Sequence, residues 1–413
     1  MSNQYDVTIV GGGMVGASVA LALLPLGLRV ALVEAIPYDS AAQPSFDERT
    51  TAISNGSRRI LEGLGIWSTI SMAATPIAKI HISDQGHFGF ARVDARDRGL
   101  LAMGYVIPNR VLGAALWTKL LGAKSRATEN LTVFCPASIE GIVADERTCR
   151  LALTVGGVHS EIESQILVAA DGVNSAVRQA FGIEASVRDY GQTAVITTVL
   201  PQRFHDHVAY ERFTASGPLA LLPLEGGRCT LVLTLSPEMA AAAITWSDVE
   251  FLRELQQRFG FRLGRFLQVG RRVPYPLSLT QAQRTSAGRC VIVGNAAQGL
   301  HPVAGMGFNL GLRDAACLAE LVAQRYKQGT GDLWDLGLMA AYDAWRAADR
   351  GGIIAFTDTL VRTFSSPLRT VQGLRNFGLL AFDLLPPAKS ALSRLSTGAA
   401  TRVPKLARGV SLV

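Results

Sequence analysis

The chain has 413 residues, 48% hydrophobic and 18% charged, with a net charge of +7, which excludes a disordered or fibrous protein. That length exceeds what one hydrophobic core usually serves, so two domains are expected, possibly interleaved in sequence. Five cysteines (Cys135, Cys149, Cys229, Cys290 and Cys317) lack metal-type spacing and are odd in number. They point to reduced thiols in a cytosolic protein rather than a disulfide framework.

The N-terminus runs directly into a strand, without a basic-then-apolar leader, so no secretion signal is expected. Tyr5 to Val10 reads as that strand. Gly11-Gly12-Gly13-Met14-Val15-Gly16 follows, then a helical run ending near Leu24, then a strand from Arg29 to Val33 closed by Glu34. This is GxGxxG between strand and helix, with an acid at the end of the next strand. Gly11 suits the tight turn, Gly13 lets the backbone approach a pyrophosphate, and Gly16 allows close helix–strand packing. Glu34 can accept hydrogen bonds from a ribose 2′-OH, which argues for a ribose without a 2′-phosphate, as in FAD or NAD. The bland alternative is a glycine-rich turn in an empty βαβ unit.

Arg49 follows a loop of Pro, Ser, Ala and Gln, as a phosphate or ring contact or as a surface ion-pair partner. Ser54 to Leu64 predicts a helix with Ile60, Leu61 and Leu64 on one face. Alternating runs around Ile80 to Phe90 hold His81 and His87, which no third donor joins at metal spacing. Structural or substrate-contact roles suit them better. A helix from Asn109 to Leu121 begins near Arg110, and Ser138 to Val155 predicts an antiparallel hairpin. Ile166 to Ala170 is a buried strand ending at Asp171-Gly172, followed by a helix carrying Ser175 and Arg178.

Gln192 to Leu235 predicts an antiparallel sheet with strands at Val195–Leu200, Ala209–Phe213, Leu219–Pro223 and Cys229–Leu235. Trp246 to Phe259 reads as one amphipathic helix opened by Ser247 and Asp248. Val291 to Val293 is another buried strand. A long loop with Gly294, Gly299, Gly305, Gly307 and Gly311 follows, and a helix is expected from Asp314. Such glycines let a backbone lie against a flat ligand, and free N–H groups at a helix start favour negative charge.

After Asp358 the chain carries eight basic residues against Asp383 alone, so the whole net charge falls in this stretch. The basic residues alternate with Leu, Phe and Pro and form no recognition motif. That argues against nucleic acid and for an anionic membrane surface, or for an ordinary solvated helical face. No uncharged apolar run reaches the ~18 residues that span a bilayer.

Three segments, GGGMVG with Glu34, AADGVNSAVR and GNAAQGLHPVAGMGFNLGLRDA, together resemble the class A flavin-dependent aromatic hydroxylases of the p-hydroxybenzoate hydroxylase fold. Within that family, ISDQGHFGF, ERFTASGPLALLP and the basic tail are most similar to the ubiquinone-biosynthesis hydroxylases, above all the 2-octaprenyl-6-methoxyphenol hydroxylases. The resemblance implies an α/β fold with a Rossmann-like FAD-binding domain (1–73, 100–180 and 281–350) and an inserted antiparallel-sheet substrate domain (74–99 and 181–280). A basic, helical, membrane-associating region would complete it (351–413).

By the same resemblance, Gly11, Gly13, Met14, Gly16 and Glu34 would bind the ADP half of FAD, and Arg49 and Arg110 would lie near the flavin and its phosphates. Asp171 and Gly172, supported by Arg178, would contact FAD and NADPH. Pro302, Gly305, Met306, Gly307 and Asn309 would run along the isoalloxazine, and Gly294 and Asn295 would lie by the ribityl or phosphate region. Asn295 stands where the family usually has Asp, Gln298 where it has His, and Met306 where Gln is frequent.

The implied reaction is a monooxygenation. NADPH or NADH reduces FAD, O2 is activated, and an electrophilic hydroxyl passes to a prenylated phenol. His301 is a candidate to deprotonate that phenol, or a structural histidine. The implied setting is cytoplasmic, peripheral to the inner face of the cytoplasmic membrane, in a multiprotein quinone-biosynthesis complex. The alternatives are a non-catalytic flavin-bound scaffold of such a complex and a flavin monooxygenase acting on another aromatic substrate.

Overall fold

The computed structural model describes residues 3–40, 43, 47, 49–125, 130–300, 305–329, 332–334, 336–365 and 402–413. His301, Pro302 and the basic residues from 366 to 401 lie outside them.

The chain opens with β1 (Gln4–Val10), α1 (Met14–Leu23) and β2 (Val30–Val33), then β3 (Thr50–Ser54), α2 (Asn55–Gly63) and α3 (Trp67–Ile70). Short strands β4 (Thr75–Ile77), β5 (Lys79–Asp84), β6 (Phe90–Asp94) and β7 (Gly104–Pro108) lead to α4 (Asn109–Ser125). β8 (Leu131–Phe134), β9 (Ala137–Ala144), β10 (Cys149–Val155) and β11 (Val158–Ala169) precede α5 (Ala176–Ala180). Next come β12 (Ala185–Pro201), β13 (Val208–Thr214), β14 (Gly217–Pro223), β15 (Cys229–Leu235), α6 (Pro237–Thr245) and α7 (Asp248–Phe259). β16 (Phe266–Val269), β17 (Val273–Ala282), β18 (Ser286–Ala287), β19 (Cys290–Ile292), β20 (Gln298–Gly299), α8 (Met306–Lys327) and α9 (Leu336–Ser365) follow.

One sheet runs β18-β19-β11-β1-β2-β8, and its strands from β19 to β8 are mutually parallel. Its central strands are apolar throughout rather than alternating, as a sheet covered on both faces requires. Residues of α1, α4 and α8 join the core on one face. The meander β9-β10-β11 closes the other, with Leu151, Leu153 and Ile162 against Val10, Val33 and Ala169.

A second sheet runs β20-β17-β12-β15-β14-β13-β5-β6. α6 and α7 cover one of its faces, packing Phe251, Leu255 and Phe259 on Val195, Leu219, Leu231 and Leu233. Each such side chain contributes about 1.5–3 kcal/mol when buried. β3, β7 and β4 form a small third sheet.

Two expectations change. The second sheet is not wholly antiparallel, because β13 pairs β5 in parallel. That strand arrives from far upstream by a crossover. The helix opened by Ser247 and Asp248 forms as expected, as α7 with a Ser247–Glu250 capping box, and Trp246 caps the end of α6 just before it.

The change at α8 matters most. α8 starts at Met306, eight residues before Asp314, so Gly307 and Gly311 are helical. Gly311 costs about 1 kcal/mol of helix propensity. A Cβ there would lie 2.9 Å from the Val15 side chain and 3.0 Å from the Gly294 Cα. The glycine therefore serves helix packing, which a local pattern does not reveal.

Candidate active site and cofactor cleft

Three motifs far apart in sequence meet because β1, β11 and β19 are parallel neighbours in register, Val10 beside Ala169 and Ala169 beside Ile292. Gly11, Asp171 and Gly294 therefore leave the same edge of the sheet. The carboxyl ends of parallel strands are where open α/β sheets bind ligands.

Gly11 has φ +100°, and a Cβ on it would lie 2.4 Å from the Ala170 oxygen; one on Gly16 would lie 1.9 Å from the Gly11 oxygen. No side chain fits at either position. Glu34 is buried at the end of β2, with one carboxylate oxygen accepting from the Gly12 N–H (2.5 Å) and the other from the Ile36 N–H (2.8 Å). The Trp117 indole donates to the Gly12 oxygen at 2.9 Å and stacks on Tyr38 at 5.0 Å. Gly13 precedes α1 as its N-cap and Met14 is the first helical residue, half-buried at the rim.

Asp171 accepts from the Val177 N–H through Oδ2 at 3.1 Å, while its buried Oδ1 has no partner. Gly172 has φ +88° and open space where a side chain would stand. Arg178 is buried with its guanidinium on the Val173 and Ala296 carbonyls, at 3.0 and 2.9 Å. It fastens the Asp171 loop to the segment after β19.

Asn295 is exposed. Gln298 is buried, donating to Asp314 Oδ2 at 2.8 Å, and its Oε1 has no partner. The same Asp314 oxygen accepts from the Gly294 N–H at 2.9 Å, so an acid from α8 shapes the turn where the usual Asp is replaced by Asn295.

α8 begins after Gly305, whose φ of +59° places it in the left-handed region, and no side chain of a described residue caps it. Its first N–H groups are available to a ligand. Gly307 faces open space. Met306 points away into a core with Leu310 and Ile353. Asn309 donates to the Ala52 and Gly305 oxygens at 2.8 Å each and accepts from the Ser54 N–H and the Ser57 hydroxyl. It locks the helix start to β3.

The pairing of β3 with β7 brings Arg49 and Arg110 to one end, with the Asn109 N–H on the Arg49 oxygen at 2.8 Å. Arg49 pairs with Asp47 at 2.6 Å and lies 4.6 Å over the Tyr275 ring, whose hydroxyl donates to Asp47 at 3.0 Å. Burial raises the Tyr275 pKa. Arg110 is exposed in the first turn of α4.

Trp117, Tyr275 and Asp314 were missed in the sequence. Each acts through partners at least a hundred positions away or through a helix whose start was misplaced. A separate surface cavity of about 410 Å³, lined by His81, Arg92 and Tyr210, lies on the far side of the second sheet.

The cradle without room for side chains, the acid at the end of β2, the unpartnered Asp171 oxygen and the uncapped helix start all fit an ADP-bearing flavin. The chain matches the FAD binding domain family over residues 4–348 and belongs to it. It is an FAD-dependent monooxygenase of the aromatic-hydroxylase type. It is 35% identical to ubiquinone hydroxylase UbiL of Rhodospirillum rubrum, covering 98% of this chain and 93% of that protein. It is 31% identical to the 3-demethoxyubiquinol 3-hydroxylase of Escherichia coli, covering 93% and 96%. In fold it is similar to p-nitrophenol 4-monooxygenase PnpA of Pseudomonas putida, with a TM-score of 0.76, 19% identity, and 95% and 97% coverage.

Proposed function

We propose that this chain hydroxylates the ring of a prenylated phenol in ubiquinone biosynthesis, using FAD, NADPH or NADH, and O2. The observation that carries the reading is the meeting of three glycine-bearing strand ends with the start of α8, beside a half-open apolar sheet face. Bound FAD, once reduced, supplies the activated oxygen.

The residues bind and orient. Gly11, Gly13, Met14, Gly16 and Glu34 are assigned to the ADP half, Arg49 and Arg110 to the phosphate and flavin region, and Asp171 with Gly172 to FAD and nicotinamide contacts. Gly305 and Gly307 are assigned to the ring, and Gly294 and Asn295 to the ribityl or phosphate region. The N–H groups at the start of α8 stabilise negative charge there. Arg178, Met306 and Asn309 hold this geometry through the contacts already described, rather than through the ligand.

The cofactor domain is assigned residues 1–73, 100–180 and 281–350, and the substrate domain residues 74–99 and 181–280. Membership of the two large sheets supports this division. A prenyl tail needs an apolar approach, so the chain is assigned to the inner membrane surface as a peripheral protein through residues 351–413, with partners in quinone synthesis. No helix among the described residues is long and apolar enough to cross a membrane. Anionic vesicles should sediment the protein, and salt should release it.

The deciding experiment deletes the gene and profiles prenylated quinone precursors by mass spectrometry. A polyprenyl phenol should accumulate and vanish on complementation. Complementation by a variant that binds FAD but cannot turn over would instead establish a scaffold, and an unchanged profile would remove the ubiquinone assignment.

A further inference from the structure

The face of the second sheet opposite α6 and α7 carries an unusual row. Cross-strand pairing sets Ile82, Glu211, Ala220, Val232 and Ile196 side by side across β5, β13, β14, β15 and β12, and all five are half-buried. Directly paired residues share a face. This face looks toward the cofactor cleft. Thr230, on the same face, hydrogen-bonds Thr50 of β3 at 2.9 Å, and β3 is locked to the start of α8 through Asn309. Tyr275, beneath Arg49, closes the far end of the face, paired with Ala194.

Glu211 is the only ionisable side chain in this row. Among the described residues it makes no hydrogen bond and no ion pair. Its neighbours on β13, Tyr210 and Arg212, point the other way, toward Phe259 and the Arg258 carbonyl of α7. Asp84, further along β5 on the same face, is engaged by His87 at 3.0 Å. On α9, Arg346 and Asp349 face α8, and Asp358 pairs with Arg188 at 3.0 Å. Burying a carboxyl without a partner costs stability and gains nothing structurally. Such groups concentrate where a ligand completes them.

We infer that Glu211 is a catalytic residue, accepting the phenolic proton of the substrate while the ring is hydroxylated. The proton passes from the phenol oxygen to the Glu211 carboxylate, leaving the oxygen's electron pair to enrich the ring carbon. As the ring regains aromaticity, the hydrogen displaced from the hydroxylated carbon leaves in the water formed from the second oxygen atom of O2, and the Glu211 proton returns to the product's phenolic oxygen, so the carboxylate is regenerated. Burial pushes the Glu211 carboxyl up to about 7, which matches a base to a near-neutral working pH. The inference rests on the phenol-hydroxylase reading above.

The test uses the FAD-loaded full chain with a short-chain alkylphenol, following NAD(P)H oxidation and hydroxylated product from about pH 5 to about pH 9. In the wild type, product formation should rise through about pH 7. Glu211→Gln should lose that rise and about 100-fold or more in product formation, with bound FAD unchanged. Glu211→Asp should keep the rise. A Gln variant within about threefold of wild type, its pH rise intact, overturns the role of Glu211 alone. A wild type that hydroxylates no phenol overturns the hydroxylase reading as well.

Discussion

Glu211 and Gly16 show how single positions trade stability for a ligand. The folded state holds the Glu211 proton more tightly than the unfolded chain does, from an ordinary value of 4.5 up to about 7. The sign is therefore a penalty. It is absent below the ordinary value, grows as pH rises toward 7, and is complete above that. The ceiling is about 3 kcal/mol, reduced because the group is only half-buried. Glu211→Gln should stabilise the protein by about 1–3 kcal/mol at pH 8 and hardly at all near pH 4.5, as read from urea melts at both pH values. Equal effects at the two pH values would show that desolvation is not the cause. Gly16→Ala forces a methyl onto the Gly11 oxygen and should cost about 3 kcal/mol or more, with loss of the flavin absorbance.

At the scale of elements, a buried charge network clamps α9 to α8 and to the cofactor turn. Arg346 donates to Asp314 at 2.6 Å and to Asp349 at 2.7 Å, and Arg313 donates to Asp349 at 2.8 Å, all four residues being nearly inaccessible. Because Asp314 also holds Gly294 and Gln298, displacing α9 disturbs the turn after β19. Arg346→Leu leaves the buried Asp314 without a cation and Asp349 with Arg313 alone, and should cost about 3–5 kcal/mol, seen as a lower melting temperature and faster flavin release.

Burial alone would raise Asp349, but the attraction of Arg313 and Arg346 outweighs it and holds the carboxyl below its ordinary 3.8. A lowered acid stabilises the fold above that ordinary value, and the contribution disappears as pH falls through the folded one. Asp349→Asn should accordingly flatten the acid limb of the melting curve below pH 3.8.

At the scale of the whole molecule, the last residues return to the cofactor side. Leu406 and Leu412 are buried, Leu406 against Gly63 of α2. Arg402 lies 3.9 Å over the Trp345 ring and 3.1 Å from Glu320, and the Trp345 indole donates to the Arg402 oxygen. The Lys405 N–H also donates to Glu320 at 2.6 Å. Arg402 is thus tied to the folded body while its side chain stays largely exposed. Ending the chain after residue 401 should cost about 4 kcal/mol or more, since two leucines leave the core and Glu320 loses Arg402 and the Lys405 N–H; thermal unfolding measures it.

The sequence by itself determined whatever depends on neighbours along the chain: the βαβ turn with Glu34, the Asp171 turn, the buried strand at Val291, and the strands Ala209–Phe213 to Cys229–Leu235. Hydrophobic period and glycine placement encode these locally, and three such motifs in order were enough to indicate the family. Only the tertiary structure decided that α8 starts at Met306, because Gly311 reads as loop until Val15 and Gly294 are seen against it. Only the tertiary structure turned Arg178 and Asn309 inward and set Asp314 behind the cofactor turn, since their partners come from other strands and helices. Glu211 belongs with these. Its place in VAYERFT says that it alternates out of a strand, but which face of the sheet meets the cofactor is fixed by how the two sheets pack.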